Sequence, residues 1–94
     1  MRWGMPLRIR VRYLGVLRDY LGVFEDVLEF DDGDYSIKDV LEAIRDIRPK
    51  YRRIESMLPM VWVYLNGKQV LPLSKVKVSD GDEVALMPTL HEGG

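Results

Sequence analysis

The chain has 94 residues, enough for one domain built on one core and too few for a core plus a deep substrate cleft. A formal net charge of -1 excludes bulk attraction to nucleic acid or to a membrane surface. The absence of cysteine excludes disulfides, a thiolate nucleophile and a Cys-based metal site. No apolar run approaches the ~20 residues that span a bilayer, and Met1 to Pro6 has no apolar stretch of the secretory kind, so a cytoplasmic location is expected. Asn66 and Gln69 are the only carboxamides against 31% charged residues, a balance that points to a thermophilic source.

Leu7, Ile9, Val11 and Tyr13 alternate with Arg8, Arg10 and Arg12, the period of a half-buried strand. The arginine row reads as a solvated outer sheet face. It lacks the interleaved aromatics of a nucleic-acid platform. Gly15 and Gly22 bracket a short helical turn in which Leu17 and Leu21 share a face. Val23 to Phe30 is a second strand, closed by a turn at Asp31-Asp32-Gly33-Asp34. Those three carboxylates lack the further oxygen ligands and distal Glu of a calcium loop, and no metal site is expected.

Ser36 with Asp39 forms a capping box at the head of the clearest helix. Val40, Leu41, Ile44 and Ile47 follow at helical spacing and predict one core-facing stripe, and Pro49 ends the helix near Ile47 or Arg48. Lys50 to Met60 is a partly helical connection pinned by Ile54, Met57 and Leu58. Val61 to Leu65 is a strand, Asn66-Gly67 a hairpin turn and Lys68 to Leu71 the return, with Pro72 ending an edge strand. Asp80-Gly81-Asp82 is another turn. Glu83 to Met87 is the last strand, stopped by Pro88.

One helix on one face of a mixed sheet of four to five strands is an α+β layout. Residues 1–94 form one expected domain, with 88–94 as an extended, flexible tail ending in Gly93-Gly94. Two terminal glycines lack Cβ atoms, so such a tail can lie flat in a channel too narrow for side chains. If Val63, Leu65, Val84 and Leu86 face the helix, then Trp62, Tyr64, Ala85 and Met87 form an apolar patch on the opposite face. With Leu90 this patch leads into the tail and is the expected partner-docking face, unless Met1 to Pro6 covers it. His91, the only histidine, makes neither a metal site nor a triad alone. No phosphate loop or nucleophile constellation is present, so the chain is not expected to be an enzyme or to bind a cofactor stably.

Three segments carry a resemblance that spans Leu7 to Gly94. Tyr13-Leu14-Gly15-Val16-Leu17-Arg18-Asp19-Tyr20-Leu21-Gly22-Val23 resembles an aromatic-x-x-x-L-R-E-x-x-G-x signature. Val63-Tyr64-Leu65-Asn66-Gly67 resembles a V-x-V-N-G hairpin, and Asp80 to Pro88 a D-G-D-E-V-A block. With the diglycine they resemble the ubiquitin-like β-grasp sulfur carriers, above all the small subunit of molybdopterin synthase, the MoaD family. The resemblance implies that an E1-like (MoeB-like) enzyme uses ATP to adenylate the Gly94 carboxylate, and that a sulfur donor converts it to a thiocarboxylate. It also implies docking to a large, MoaE-like subunit, with Pro88, Thr89, Leu90, His91, Glu92 and Gly93 threading a partner channel.

Two departures stand out. Pro88 is single where the family has two prolines, and the tail is about one residue longer. The ending Thr89-Leu90-His91 with its glycines is also similar to the ubiquitin-related modifiers, and archaeal small modifiers share the fold. Conjugation to lysines, or tRNA thiolation, is therefore the alternative. The thiamine carriers of this fold are usually shorter.

Overall fold

The computed structural model describes residues 4–58 and 60–89. The elements run β1 (Leu7–Tyr13), α1 (Val16–Leu21), β2 (Glu25–Phe30), β3 (Tyr35–Ser36), α2 (Ile37–Ile47), α3 (Pro49–Glu55), β4 (Met60–Leu65), β5 (Lys68–Gln69), β6 (Lys77–Val78) and β7 (Glu83–Thr89). Five strands form one mixed sheet in the order β2-β1-β7-β4-β5, and β3 pairs with β6 in a small second sheet. β1 and β7 lie parallel at the centre, and the other neighbours are antiparallel. This is the expected α+β layout, with α2 as the main helix. Among the described residues no helix is long and apolar enough to cross a membrane.

The alternation in β1 is complete: Leu7, Ile9, Val11 and Tyr13 are buried, and the three arginines between them are exposed. Register then fixes the inner face. Leu28 lies opposite Ile9, Val84 beside Val11, and Val63 opposite Leu86. Against this face pack Ile37, Val40, Leu41 and Ile44 of α2 and Leu17 and Leu21 of α1. Each such side chain contributes about 1.5–3 kcal/mol on full burial. The capping box forms as read: the Ser36 amide donates to Asp39 Oδ2 at 2.8 Å.

Three expectations are corrected. Ile47 is 48% exposed, because the last turn of α2 runs past the core. The connection after Pro49 is partly helical as expected, with Pro49 in the first turn of α3, where the missing N–H costs nothing, but Met57 does not pin it. It is pinned by the fully buried Tyr51 together with Ile54 and Leu58, whereas Met57 is exposed. The last strand does not stop at Met87 but runs on through Pro88 to Thr89. Leu14 N donates to Leu86 O at 3.0 Å, so the even positions of β7 face β1. Position 88 falls beyond the end of β1, where a strand proline forfeits no ladder bond.

Two side-chain networks lock the helices, one to the sheet and one to each other. Arg48 grips Asp26 with two bonds, Nη2 to Oδ1 at 2.6 Å and Nε to Oδ2 at 2.9 Å, while the Tyr13 hydroxyl donates to Asp26 Oδ2 at 2.6 Å. Arg45 grips Glu55 in the same way, and the Tyr51 hydroxyl donates to Glu55 Oε2 at 2.9 Å. The Arg48 bonds hold the Asp26 carboxyl below its usual range. Burial, reinforced by the neighbouring carboxylate, pushes both tyrosines up. For Glu55 burial acts upward, but the Arg45 and Tyr51 bonds outweigh it and the carboxyl ends below its usual range.

Candidate functional site

The sheet face turned away from the helices divides along the β1–β7 boundary. On the β2–β1 side, Arg8 meets Glu29 at 3.3 Å and Arg10 meets Glu25 at 3.9 Å. Glu83, at the start of β7, lies 4.0 Å from Arg10 and 3.8 Å from Arg12. On the β7–β4 side the register pairs Trp62 with Met87 and Tyr64 with Ala85. The four residues expected to form the docking patch therefore share one face in two cross-strand pairs. Met87 is exposed, while Trp62, Tyr64 and Ala85 are half-buried.

Sequence reasoning missed one member of this patch. Met60, opposite Thr89, is 56% exposed on the same face. The signal was available: Met60 continues the alternation of Trp62 and Tyr64 by one step. Met5 and Pro6 are exposed, and Gly4 packs against Asp32 after β2, at the other side of the sheet. Residues 4–6 therefore do not cover the patch.

The patch ends where the chain leaves the sheet. Pro88 points to the inner face and is buried. Thr89 is held in the strand, its hydroxyl donating to the Met60 carbonyl at 2.9 Å. These two residues belong to β7 and are fixed by it. Leu90, His91, Glu92, Gly93 and Gly94 lie outside the described residues. Gly15, at the head of α1, has φ 59° and ψ -139°, a conformation that L side chains rarely adopt. A Cβ there would touch Met87 Sδ at 3.8 Å, so α1 closes against the last turn of β7 before the tail.

Among the described residues no cluster of three or more His, Cys, Asp or Glu side chains is placed to hold a metal. Among the described residues the surface depressions found are shallow, and one of about 260 Å³ is lined by Arg8, Arg10 and the Gly81–Glu83 turn. Small-molecule sites are usually deeper and more enclosed. What the geometry offers is a flat apolar face beside a clamped strand end.

The sequence model of the ThiS family matches residues 11–91, and so is satisfied without the terminal diglycine. The chain belongs to the ThiS family. It is 33% identical over 87 residues to a molybdopterin synthase sulfur carrier subunit of Chlamydomonas reinhardtii, covering 93% of this chain and all of that one. Two solved archaeal structures superpose on it. The Haloferax volcanii protein HVO 2177 is 26% identical, with a TM-score of 0.74 over 94% of this chain and 88% of that one. SAMP1 of Haloferax volcanii, a small archaeal modifier protein, is 24% identical, with a TM-score of 0.75 over 93% and 99%. The ubiquitin-like β-grasp fold that the resemblance implied is thereby shown, and with it the MoaD-like resemblance. The Chlamydomonas relative is a sulfur carrier subunit.

Proposed function

We propose that this ThiS-family chain is a sulfur carrier whose working group is the carboxyl of Gly94, and that it serves molybdopterin synthesis. The observation that carries this reading is the terminal Gly93-Gly94, placed five residues beyond a strand end that Thr89 ties to Met60. Five residues span at most about 17 Å when extended. That length lets the carboxyl reach an active site inside a partner while Trp62, Tyr64, Ala85, Met87 and Met60 dock outside it. Aromatic and methionine side chains are the types enriched at interface cores.

A free carboxylate is a poor electrophile. In the proposed cycle the Gly94 carboxylate attacks the α-phosphorus of ATP on an E1-like partner and releases pyrophosphate. A sulfide sulfur then attacks the acyl adenylate, and AMP leaves. The product is a thiocarboxylate, whose sulfur passes to a pterin substrate within a complex with the large synthase subunit. A persulfide donor would give an acyl disulfide, which a second thiol cleaves. ATP belongs to the activating partner, and this chain holds no cofactor of its own. A sulfur carrier without cysteine has only its terminus on which to carry sulfur.

One observation favours a second reading, conjugation of Gly94 to lysines of other proteins: the Thr89-Leu90-His91-Glu92 stretch before the diglycine. Both readings share the adenylation step. Gly94→Trp is expected to abolish ATP–pyrophosphate exchange by the host's E1-like enzyme and leave the fold intact. Exchange at the wild-type rate would contradict a channel-threading tail. Binding of the large synthase subunit by the wild-type protein then separates carrier from modifier.

A further inference from the structure

We propose that the open edge of β4 is a second docking site, which takes an extended, acidic segment of a partner protein as an added strand. The hairpin register pairs Tyr64 with Gln69 and Leu65 with Lys68, and Val70 N still donates to Val63 O at 3.0 Å. Two residues further along, Val61 would face Pro72, which has no N–H to donate. The ladder therefore ends, and the backbone of Val61 on that side has no hydrogen bond among the described residues. An unpaired strand edge is a template for another chain.

Beside this edge lies a groove of about 200 Å³ whose walls include Val61, Trp62, Val63, Val70, Leu71 and Leu73. Leu71 is 72% exposed. The indole N–H of Trp62 is buried with no acceptor among the described residues. A buried donor without a partner is costly, so an incoming carbonyl or carboxylate that meets it gains affinity.

Charge selects the occupant. Between Ser56 and Ser79 the sequence has no carboxylate and three lysines, Lys68, Lys75 and Lys77. The groove-wall loop is tied at its back to Lys38, whose amide donates to Leu73 O, and closed by Lys75 N to Pro72 O. These four lysines are exposed and enter no ion pair among the described residues, whereas the arginines of β1 each have a glutamate within 4.0 Å. Apolar walls, free backbone groups and the unpaired lysines of the flanking segments fit a strand that alternates apolar with acidic side chains.

The test is an amide NMR titration of the full chain with a capped heptapeptide alternating glutamate and valine. Expected are saturable shifts at the Val61 amide, the Trp62 indole N–H and residues 68–73. The pair Lys68→Glu and Lys75→Glu, both at exposed positions, is expected to raise Kd about tenfold with the rest of the spectrum unchanged. The proposal is overturned by any of four results: equal binding of a lysine–valine peptide, shifts centred on the β2 edge, the same shifts on concentrating the protein alone, or no saturable shift.

Discussion

On the β2–β1 half of the outer sheet face, Arg8, Arg10 and Arg12 meet Glu25 and Glu29 of β2 and Glu83 at the start of β7. On the β7–β4 half the same pleat presents Met60, Trp62, Tyr64, Ala85 and Met87 with no charge among them. Both halves belong to one continuous sheet. The first is finished against solvent by paired charges. The second carries no such pairing and lies beside Thr89, the last described residue of β7. An apolar outer face of this kind is a common mark of an interaction surface, and the proposed function assigns it to partner docking.

The contrast can be broken or sharpened by substitution. The largest effect belongs to the inner face that both halves share. Leu86→Ala, at a fully buried position, is expected to cost about 3 kcal/mol in denaturant unfolding. A loss below about 1 kcal/mol would mean that the inner face is not the core. Next is the latch behind the charged half. Asp26→Asn removes the negative charge and turns one of the two oxygens that accept from Arg48 and Tyr13 into a donor, and is expected to cost about 2 kcal/mol at neutral pH.

That substitution also has a pH signature. The Asp26 carboxyl lies below its usual range in the fold, so its stabilisation is complete above the ordinary carboxylate pKa near 4 and is lost as pH falls through its lowered folded-state value. The wild-type protein should lose stability on acidification, and Asp26→Asn should lose less. Parallel acid limbs for the two proteins would remove Asp26 from the account of acid sensitivity.

Smaller effects separate the two halves themselves. Tyr64→Asp on the apolar half is expected to weaken partner binding about tenfold while shifting stability by less than about 1 kcal/mol. Unchanged affinity for both the activating enzyme and the large synthase subunit would exclude that face. Arg10→Gln on the charged half is expected to change stability by less than about 0.5 kcal/mol, since its glutamates are solvent-screened, and to leave binding unchanged. A tenfold binding loss there would erase the distinction.

The period-two pattern of Leu7 to Tyr13, the Ser36–Asp39 box and the Asn66-Gly67 turn were legible in the sequence because each is set by neighbours in the chain. Asn66 has φ 50° and Gly67 φ 87°, the positive pair that a tight hairpin demands. What escaped depends on distant partners. Pro88 reads locally as a strand stop, yet its place past the end of β1 makes it harmless in the ladder. Ile47 has the spacing of a core residue but lies beyond the core. Tyr51 and the Arg45 and Arg48 grips join residues that only the tertiary fold brings together. Two-residue strands such as β3 and β6 are too short to carry a periodic signal. The docking face was legible as an alternation, but its contrast with the charged half needed the register.

The most direct test of sulfur carriage at Gly94 is the intact mass of the protein after incubation with its host's E1-like enzyme, ATP and a sulfur donor, beside a control lacking Gly94. The mass gain of replacing one oxygen by sulfur is expected in the full chain and absent from the control. An unchanged mass, with the same enzyme active on another carrier, would contradict it.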